Sequence, residues 1–282
     1  MAGRAGYLPA LLAIWLLGLA CPTSASVAFY YGRGIPQEAT HYDFIVLQPS
    51  QVSPAELDEL KKKGTQPLAY LSIGEVARTA AEMVAVRPEW RLGQNEHWDS
   101  VVLDVRRPEV QLFLVEMMAA AAWRQGFKGF FLDTLDSYRL TEEGRSDESG
   151  FQQALVAVIQ RLATTFNKPT LILNRGFEFA SRVSEQIQAV AFESLYSRYS
   201  VADDDYRAVP PNDREWLLAQ VLPLVKNYGL EVIAIDYLPE NDASVSELIQ
   251  RIEAHGLSAW VGDGLLAHMG QGSGRHRAGL GR

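Results

Sequence analysis

The chain has 282 residues, of which 48% are hydrophobic and one is cysteine, and its formal net charge is −8 at pH 7. This apolar content supports a packed core, which excludes a chain that is disordered throughout. The acidic balance disfavours a nucleic-acid-binding protein held by phosphate contacts. One cysteine excludes a disulfide framework and a cysteine-rich metal site. We therefore expect a soluble α/β protein.

The N-terminal segment has the pattern of a secretory signal. Arg4 precedes an apolar run of 11 residues at 10–20, and small residues lead to Ala25. Since a membrane span needs about 20 apolar residues, we predict a signal peptide cleaved after Ala25 and no membrane span in the mature chain. Cys21 leaves a lipid-anchored alternative open, although Gly18 stands where a lipobox normally has leucine. The mature protein is expected to be periplasmic or secreted.

From Ser26 onward, short β-branched or aromatic runs alternate with helical patterns. The predicted strands are 27–31, 43–48, 67–73, 129–134, 170–175, 189–194, 231–237 and 258–263. The predicted helices are 54–63, 108–125, 151–167, 177–188, 213–228 and 245–255. A further run at 100–105 predicts either an extra strand or the lead-in to the next helix.

Eight near-continuous apolar strands that alternate with helices indicate a parallel sheet covered on both faces. Eight units in this length fit a single (β/α)8 TIM barrel, and no Gly-x-Gly-x-x-Gly follows the first strand to support a dinucleotide-binding sheet. We predict a signal peptide at 1–25, a barrel domain at 26–267 and a disordered tail at 268–282, Gly-rich and basic from Gly270.

Polar side chains follow several of the apolar runs, at the strand ends where barrel enzymes place their chemistry. Asp133 and Glu193 each end such a run, and one alternative is that they pair with Arg175 or another structural partner. The other candidates at or near the strand ends are Tyr31, Tyr70, Glu75, Asp136, Asn174, Tyr196, Asp236 and Tyr237. Together these side chains predict a site at the barrel mouth, where tyrosines could contact sugar rings.

A carboxylate pair across a barrel mouth is what glycoside hydrolysis requires, since one group stays ionised and the other protonates the leaving oxygen. Placement on the fourth and sixth strands fits either stereochemical outcome. The five histidines lack HxH and HExxH spacing, and no Gly-x-Ser-x-Gly is present. The acidic run 203–205 fits a solvated loop better than a calcium site. We predict no metal and no cofactor.

Six segments resemble, in order, the barrel family of endo-α-1,4-polygalactosaminidases, including the hydrolase domain of Pel exopolysaccharide modifying proteins. They are VAFYYG (27–32), AYLSIGE (69–75), GFFLDTLDSY (129–138), ILNRGFE (172–178), AFESLYS (191–197) and AIDYLPE (234–240). The resemblance implies a (β/α)8 fold without a metal, and cleavage within α-1,4-linked galactosamine or N-acetylgalactosamine chains. It implies Asp133 as nucleophile and Glu193 as general acid/base, with the other candidates lining sugar subsites.

The expected partners are an amino-sugar exopolysaccharide and its export machinery, with no nucleic acid. Two alternatives stay open: a non-catalytic barrel that binds the polysaccharide during export, and a barrel hydrolase of another glycan. The segments 75–100 and 197–212 are expected to be βα-loops at the barrel mouth that set specificity. The sequence does not decide retention or inversion, acetylation preference or oligomeric state.

Overall fold

The computed structural model describes residues 25–274. The predicted signal peptide, apart from its last residue, and the alternative lipid site at Cys21 lie outside the described residues, as does the end of the predicted tail. In the described part, no helix is long and apolar enough to cross a membrane.

The main sheet is the predicted barrel. Its strands are β1 Val27–Tyr30, β2 Phe44–Leu47, β3 Gln66–Ser72, β4 Gly129–Asp133, β5 Thr170–Asn174, β6 Ala189–Glu193, β7 Glu231–Tyr237, β8 Ser258–Gly262 and β9 Gln271–Gly272. The first eight pair in chain order and in parallel, which confirms the predicted (β/α)8 fold. β9 pairs antiparallel with β8 and contacts β1, so it lies at the seam of the barrel.

Helices follow the strands along the chain. Among the described residues, the α-helices are Pro54–Lys62, Pro108–Leu112, Ala120–Gln125, Glu142–Ser146, Glu148–Thr165, Phe177–Ala180, Pro211–Tyr228 and Val245–Glu253. Short 3-10 helices lie at Gln37–His41, Pro49–Gln51, Ala81–Ala85, Pro88–Trp90, Ser137–Leu140 and Ser181–Val183. A π-helical segment, Phe113–Ala119, completes the helix predicted at 108–125.

The helix predicted at 177–188 ends earlier, because the chain must turn back to the sheet. Both the backbone N–H and the side-chain oxygen of Gln188 bond to the backbone of Leu171, at 2.9 and 2.5 Å. These contacts bring the chain to β6 soon after Val183 and leave no length for another helical turn.

Alternation along the strands decides which side chains fill the barrel. Phe29 and Phe131 lie on its inner face with ring centroids 5.2 Å apart, and Trp260 packs against Phe29. The neighbouring Phe130 points outward instead, against Trp123. Since side chains two residues apart on a strand share a face, the residues that follow the inner aromatics are directed into the mouth.

The two long segments expected to be βα-loops contain strands of their own. After β3, the strands Glu75–Ala77, Arg91–Asn95 and Ser100–Leu103 form an antiparallel sheet, the mouth sheet. Its last strand is the run predicted at 100–105. After β6, the strands Ser197–Ser200 and Asp205–Ala208 form the mouth hairpin. The acidic run 203–205 spans its turn, where Asp203 and Asp205 pair with Arg207.

The described structure continues beyond residue 267. The Ser273 hydroxyl accepts a hydrogen bond from the Ala259 N–H at 2.8 Å, next to the β8–β9 pairing. Residues 268–274 of the predicted tail therefore cover the barrel seam, because the edge of β8 offers backbone groups that β9 satisfies.

Candidate active site

Asp133 and Glu193 face each other at the mouth, joined by one amide. Asp133 ends β4 and Glu193 ends β6, and Asn174 ends β5 between them. The Asn174 amide nitrogen donates to Asp133 Oδ1 at 2.7 Å and to Glu193 Oε1 at 3.3 Å. The two carboxylate oxygens are therefore at most 6.0 Å apart, the sum of these two distances.

A tyrosine hydroxyl binds the other oxygen of each carboxylate. Tyr70, on β3, donates to Asp133 Oδ2 at 2.5 Å. Tyr237, at the end of β7, donates to Glu193 Oε2 at 2.5 Å. Each carboxylate is thus held from both sides by neutral donors on adjacent strands, which fixes its orientation without neutralising its charge.

The surroundings of the pair raise both pKa values. Burial at the bottom of the mouth is the main cause for Asp133, opposed by the hydrogen bonds from Tyr70, the Thr134 backbone and Asn174. For Glu193 burial is again the main cause, and the Asp133 charge adds to it. Raised pKa values in a cleft are typical of acid–base catalysts.

Tyr31 completes the floor of the mouth. Its ring packs edge-on against Tyr70, with centroids 5.4 Å apart. Burial raises the pKa of Tyr31 well above its usual range, and the charges of Asp133 and Glu193 raise it further. Tyr31 therefore remains a neutral phenol close to both carboxylates.

Asp136 and Arg175 form an ion pair at the edge of the site. The Arg175 guanidinium lies 3.4 Å from Asp136 Oδ2 and donates to the Glu193 backbone carbonyl, also at 3.4 Å. Arg175 thus forms its ion pair with Asp136, and its charge also favours the ionised form of Glu193.

Glu75 lies elsewhere, although the sequence placed it among the candidates. It is 4% exposed and accepts hydrogen bonds from Asn95 at 3.1 Å and from the hydroxyls of Ser100 and Ser137. These donors belong to the mouth sheet and to the segment after β4. Glu75 therefore ties those segments together and does not contact the pair.

Asp236 and Tyr196 also lie away from the pair. Asp236 is fully buried and accepts the backbone N–H groups of Leu195, Tyr196 and Ser197 at 2.5–3.0 Å. Burial raises its pKa to about 6, while these donors favour the charged form. The Tyr196 hydroxyl hydrogen-bonds to His255. Asp236 therefore holds the segment that follows Glu193, and Tyr196 is part of that segment.

A cavity of about 330 Å³ opens beside Glu193, and its walls include residues that the sequence analysis missed. Arg198 and Tyr199 of the mouth hairpin line one side and Trp216 lines the other. Trp216 had no sequence signal, since a lone tryptophan in a helical pattern normally indicates core. Arg198 lies in a segment whose position only the folded hairpin reveals.

The described residues contain no cluster of three or more histidine, cysteine, aspartate or glutamate side chains placed to hold a metal ion. The chemistry available at the mouth is that of two carboxylates with phenol and amide donors, the constellation used for glycoside hydrolysis.

The chain is similar in fold to proteins of known structure. The glycoside hydrolase domain of PelA from Pseudomonas aeruginosa is 34% identical, with a TM-score of 0.78 over 87% of this chain and 97% of that one. Ega3 from Aspergillus fumigatus, solved in complex with galactosamine, shares the fold at 11% identity, with a TM-score of 0.66 over 88% and 95% of the two chains.

An uncharacterized protein of Methanocaldococcus jannaschii is 24% identical over 212 residues, 71% of this chain. This chain spans 60% of that relative's length. The model of glycoside-hydrolase family GH114 matches residues 24–276, a range that includes every described residue. The chain therefore belongs to glycoside-hydrolase family GH114.

Proposed function

We propose that this glycoside hydrolase cleaves within α-1,4-linked galactosamine and N-acetylgalactosamine polymers, with Asp133 and Glu193 as its catalytic pair. The observation that carries the proposal is the Asn174 amide, which bridges the facing oxygens of the two carboxylates. The facing oxygens are at most 6.0 Å apart, which is below the about 6.5–9.5 Å between the carboxyl groups of inverting enzymes and supports a retaining mechanism, in which the groups are about 5–5.5 Å apart.

The hydrogen bonds divide the two roles. Asp133 accepts bonds from Tyr70, the Thr134 backbone and Asn174, with the shorter of the two Asn174 contacts. These donors favour its ionised form, so Asp133 is the nucleophile. Glu193 accepts bonds from Tyr237 and Asn174, and the Asp133 charge favours its protonated form more than the smaller effect of the Arg175 charge opposes it. Glu193 is therefore the general acid.

The reaction then has two steps. Asp133 attacks the anomeric carbon while Glu193 gives its proton to the departing oxygen, which breaks the glycosidic bond and leaves a glycosyl ester on Asp133. Glu193, now ionised, takes a proton from water as the water oxygen attacks the same carbon and releases Asp133. Two displacements on one carbon retain the anomeric configuration.

The choice of sugar is supported by the relatives. The PelA domain is similar over nearly its whole length, and Ega3 was solved with galactosamine bound. The mouth suits an amino sugar, because the ionised carboxylate of Asp133 attracts its ammonium group. The open mouth, bordered by the mouth sheet and the mouth hairpin, suits an internal stretch of polymer.

The test uses the domain 26–274 on α-1,4-galactosamine polymer of defined acetylation. Mass spectrometry of released oligosaccharides is expected to show a ladder for the wild type and none for Glu193→Gln. Arg161→Gln, on an exposed outer helix position, is the control. Polymer binding without any ladder from the wild type would favour the non-catalytic binding barrel, and a ladder from another glycan only would overturn the choice of sugar.

We propose further that the enzyme acts after export, in the periplasm or outside the cell, on exopolysaccharide of a biofilm matrix and alongside its export machinery. The support is the apolar run at 10–20 followed by small residues. Fractionation of cells that express the full chain tests this proposal: an activity that stays in the cytoplasm with residues 1–25 intact would contradict it.

A further inference from the structure

A groove leads away from Glu193 along the mouth hairpin. The cavity beside Glu193 and a second cavity of about 360 Å³ share two wall residues, Arg198 and Tyr199. The second cavity, here called the outer cavity, is closed on its far side by Trp98, in the turn of the mouth sheet. The two cavities adjoin at these two side chains, so polymer that continues from Glu193 along the mouth hairpin reaches the outer cavity.

Exposed tryptophans stand along this groove. Trp98 is 59% exposed at the outer cavity and Trp216 is 52% exposed at the cavity beside Glu193. Exposed large aromatic side chains in a cleft are costly to solvate, and their flat faces are suited to pack against the apolar face of a bound ring.

The lining of the outer cavity includes two arginine side chains. The chain carries a net charge of −8, yet no carboxylate is among the residues that line this cavity. Of its two arginines, Arg207 is paired with Asp203 and Asp205. Arg198 is exposed and makes no ion pair or side-chain hydrogen bond within residues 25–274. One uncompensated cation therefore faces this part of the groove.

We propose that the outer cavity is a subsite for an N-acetylated, uncharged sugar residue of the polymer, and that Arg198 selects it against the free amine. The inference rests on the proposed function and adds to it the acetylation pattern that the enzyme reads.

The reason is electrostatic. A galactosamine residue carries an ammonium group at neutral pH, and an ammonium group beside the Arg198 guanidinium is repelled. An N-acetyl group has no charge, its carbonyl oxygen can accept a hydrogen bond from the guanidinium, and its methyl group can pack on Trp98. At the ionised Asp133 the charge is reversed, so a free amine is favoured there.

The experiment compares wild type with Arg198→Gln, Arg198→Lys and the outer-surface control Arg161→Gln. Each acts on fully deacetylated and randomly half-acetylated α-1,4-galactosamine polymer, and product ends are sequenced by mass spectrometry. In wild-type products we expect N-acetyl groups enriched at one fixed position from the cut. Arg198→Gln should lose that enrichment and gain about five- to tenfold in kcat/KM on the deacetylated polymer, as for one exposed like-charge contact.

Arg198→Lys keeps the charge, so it should keep the enrichment, and Trp98→Ala should raise KM on the half-acetylated polymer more than it lowers kcat. Wild-type products with random acetylation near the cut, or identical patterns from Arg198→Gln and Arg161→Gln, would overturn the inference while leaving the proposed function intact. Absence of cleavage of both polymers by the wild type would instead overturn the proposed function, and the inference with it.

Discussion

Two pairs of carboxylates lie near the strand ends of this barrel, and their hydrogen-bond donors distinguish them. The floor pair, Asp133 and Glu193, is bound by side chains of neighbouring barrel strands and faces the mouth. The wall pair, Glu75 and Asp236, is at most 4% exposed and is bound by donors of the loops that it holds. Burial of a carboxylate thus does not identify a catalyst; its position facing the mouth does.

The wall pair also explains how the floor is kept in place. Asp236 binds three successive backbone N–H groups directly after β6, so the end of the strand that carries Glu193 cannot shift freely. Gly74 lies against the turn after Asp133: a Cβ on it would be 2.1 Å from the Thr134 carbonyl oxygen. The floor pair and the wall pair are therefore expected to respond differently when a carboxylate is replaced by its uncharged amide.

The largest loss of activity is expected for substitutions of the floor pair. Asp133→Asn and Glu193→Gln should each lower kcat/KM by roughly 10³-fold or more, because each removes one of the two groups that make and break bonds. Both should also raise Tm by about 2–4 °C, as for a gain of about 1 kcal/mol, because an isosteric amide carries no buried charge.

The direction of the expected Tm change follows from the pKa values of Asp133 and Glu193. Folding raises the pKa of both carboxyl groups. At pH values between the ordinary and the raised pKa, the native state therefore binds more protons than the unfolded state. The free energy of unfolding of the wild type falls as pH rises through that window. The gain in Tm should therefore disappear at pH values below the ordinary carboxyl pKa. Calorimetry at several pH values checks this, and a lower Tm for both variants at neutral pH would contradict it.

The next largest effect is expected for the Asn174 amide, which bridges the two carboxylates. Asn174→Ala removes the amide that sets the distance between the two carboxylates, and we expect kcat to fall by about 10–10²-fold, with a smaller change in KM. The matched control is Asn95→Ala, which removes a donor to Glu75 in the wall. Equal losses of kcat for the two variants in steady-state kinetics would contradict a specific role of the Asn174 amide in positioning the two carboxylates.

For the wall, Asp236→Asn should mainly destabilise the protein. An amide cannot accept from three N–H groups with both of its heavy atoms, so we expect the free energy of unfolding to fall by about 1–3 kcal/mol. Activity of the folded fraction should fall by less than about tenfold, since Asp236 does not touch the floor. Urea denaturation followed by assays below the transition measures both quantities; a loss of activity as large as that of Glu193→Gln would place Asp236 in the catalytic group.

The smallest effects, in the pH profile, sharpen the division of roles. Tyr237 lowers the pKa of Glu193 and Tyr70 lowers that of Asp133. Tyr237→Phe should therefore raise the pKa of the acid and move the alkaline limb of kcat/KM to higher pH. Tyr70→Phe should move the acidic limb to higher pH, with a maximal rate within about tenfold of wild type. Shifts of the opposite limbs would exchange the nucleophile and the acid.

The fold and the centre of the site were predictable because both follow from strands. Apolar runs that each end in a polar residue predicted the strand ends, and in the structure Tyr31, Tyr70 and Asn174 lie close to the two carboxylates. Tyr237 and Asp236 show the limit of that reasoning. They are neighbours on β7, so they point to opposite faces, and only Tyr237 reaches the floor.

The remaining positions depend on segments that run outside the barrel strands. Glu75 and Tyr196 follow the ends of β3 and β6, where the path of the chain is set by contacts distant in sequence, such as Ser137 on Glu75. Trp98 and Arg198 line the same cavity only because the mouth sheet and the mouth hairpin approach one another. Local sequence patterns do not predict such long-range proximity.

The most direct test of the account traps the intermediate. Glu193→Gln is incubated with α-galactosaminyl fluoride, whose leaving group needs no protonation, and its peptides are analysed by mass spectrometry. The account predicts one galactosamine unit on the peptide that contains Asp133, attached to that side chain, and no adduct in Asp133→Asn. An adduct on any other residue, or turnover of the fluoride with inversion and no adduct, would contradict it.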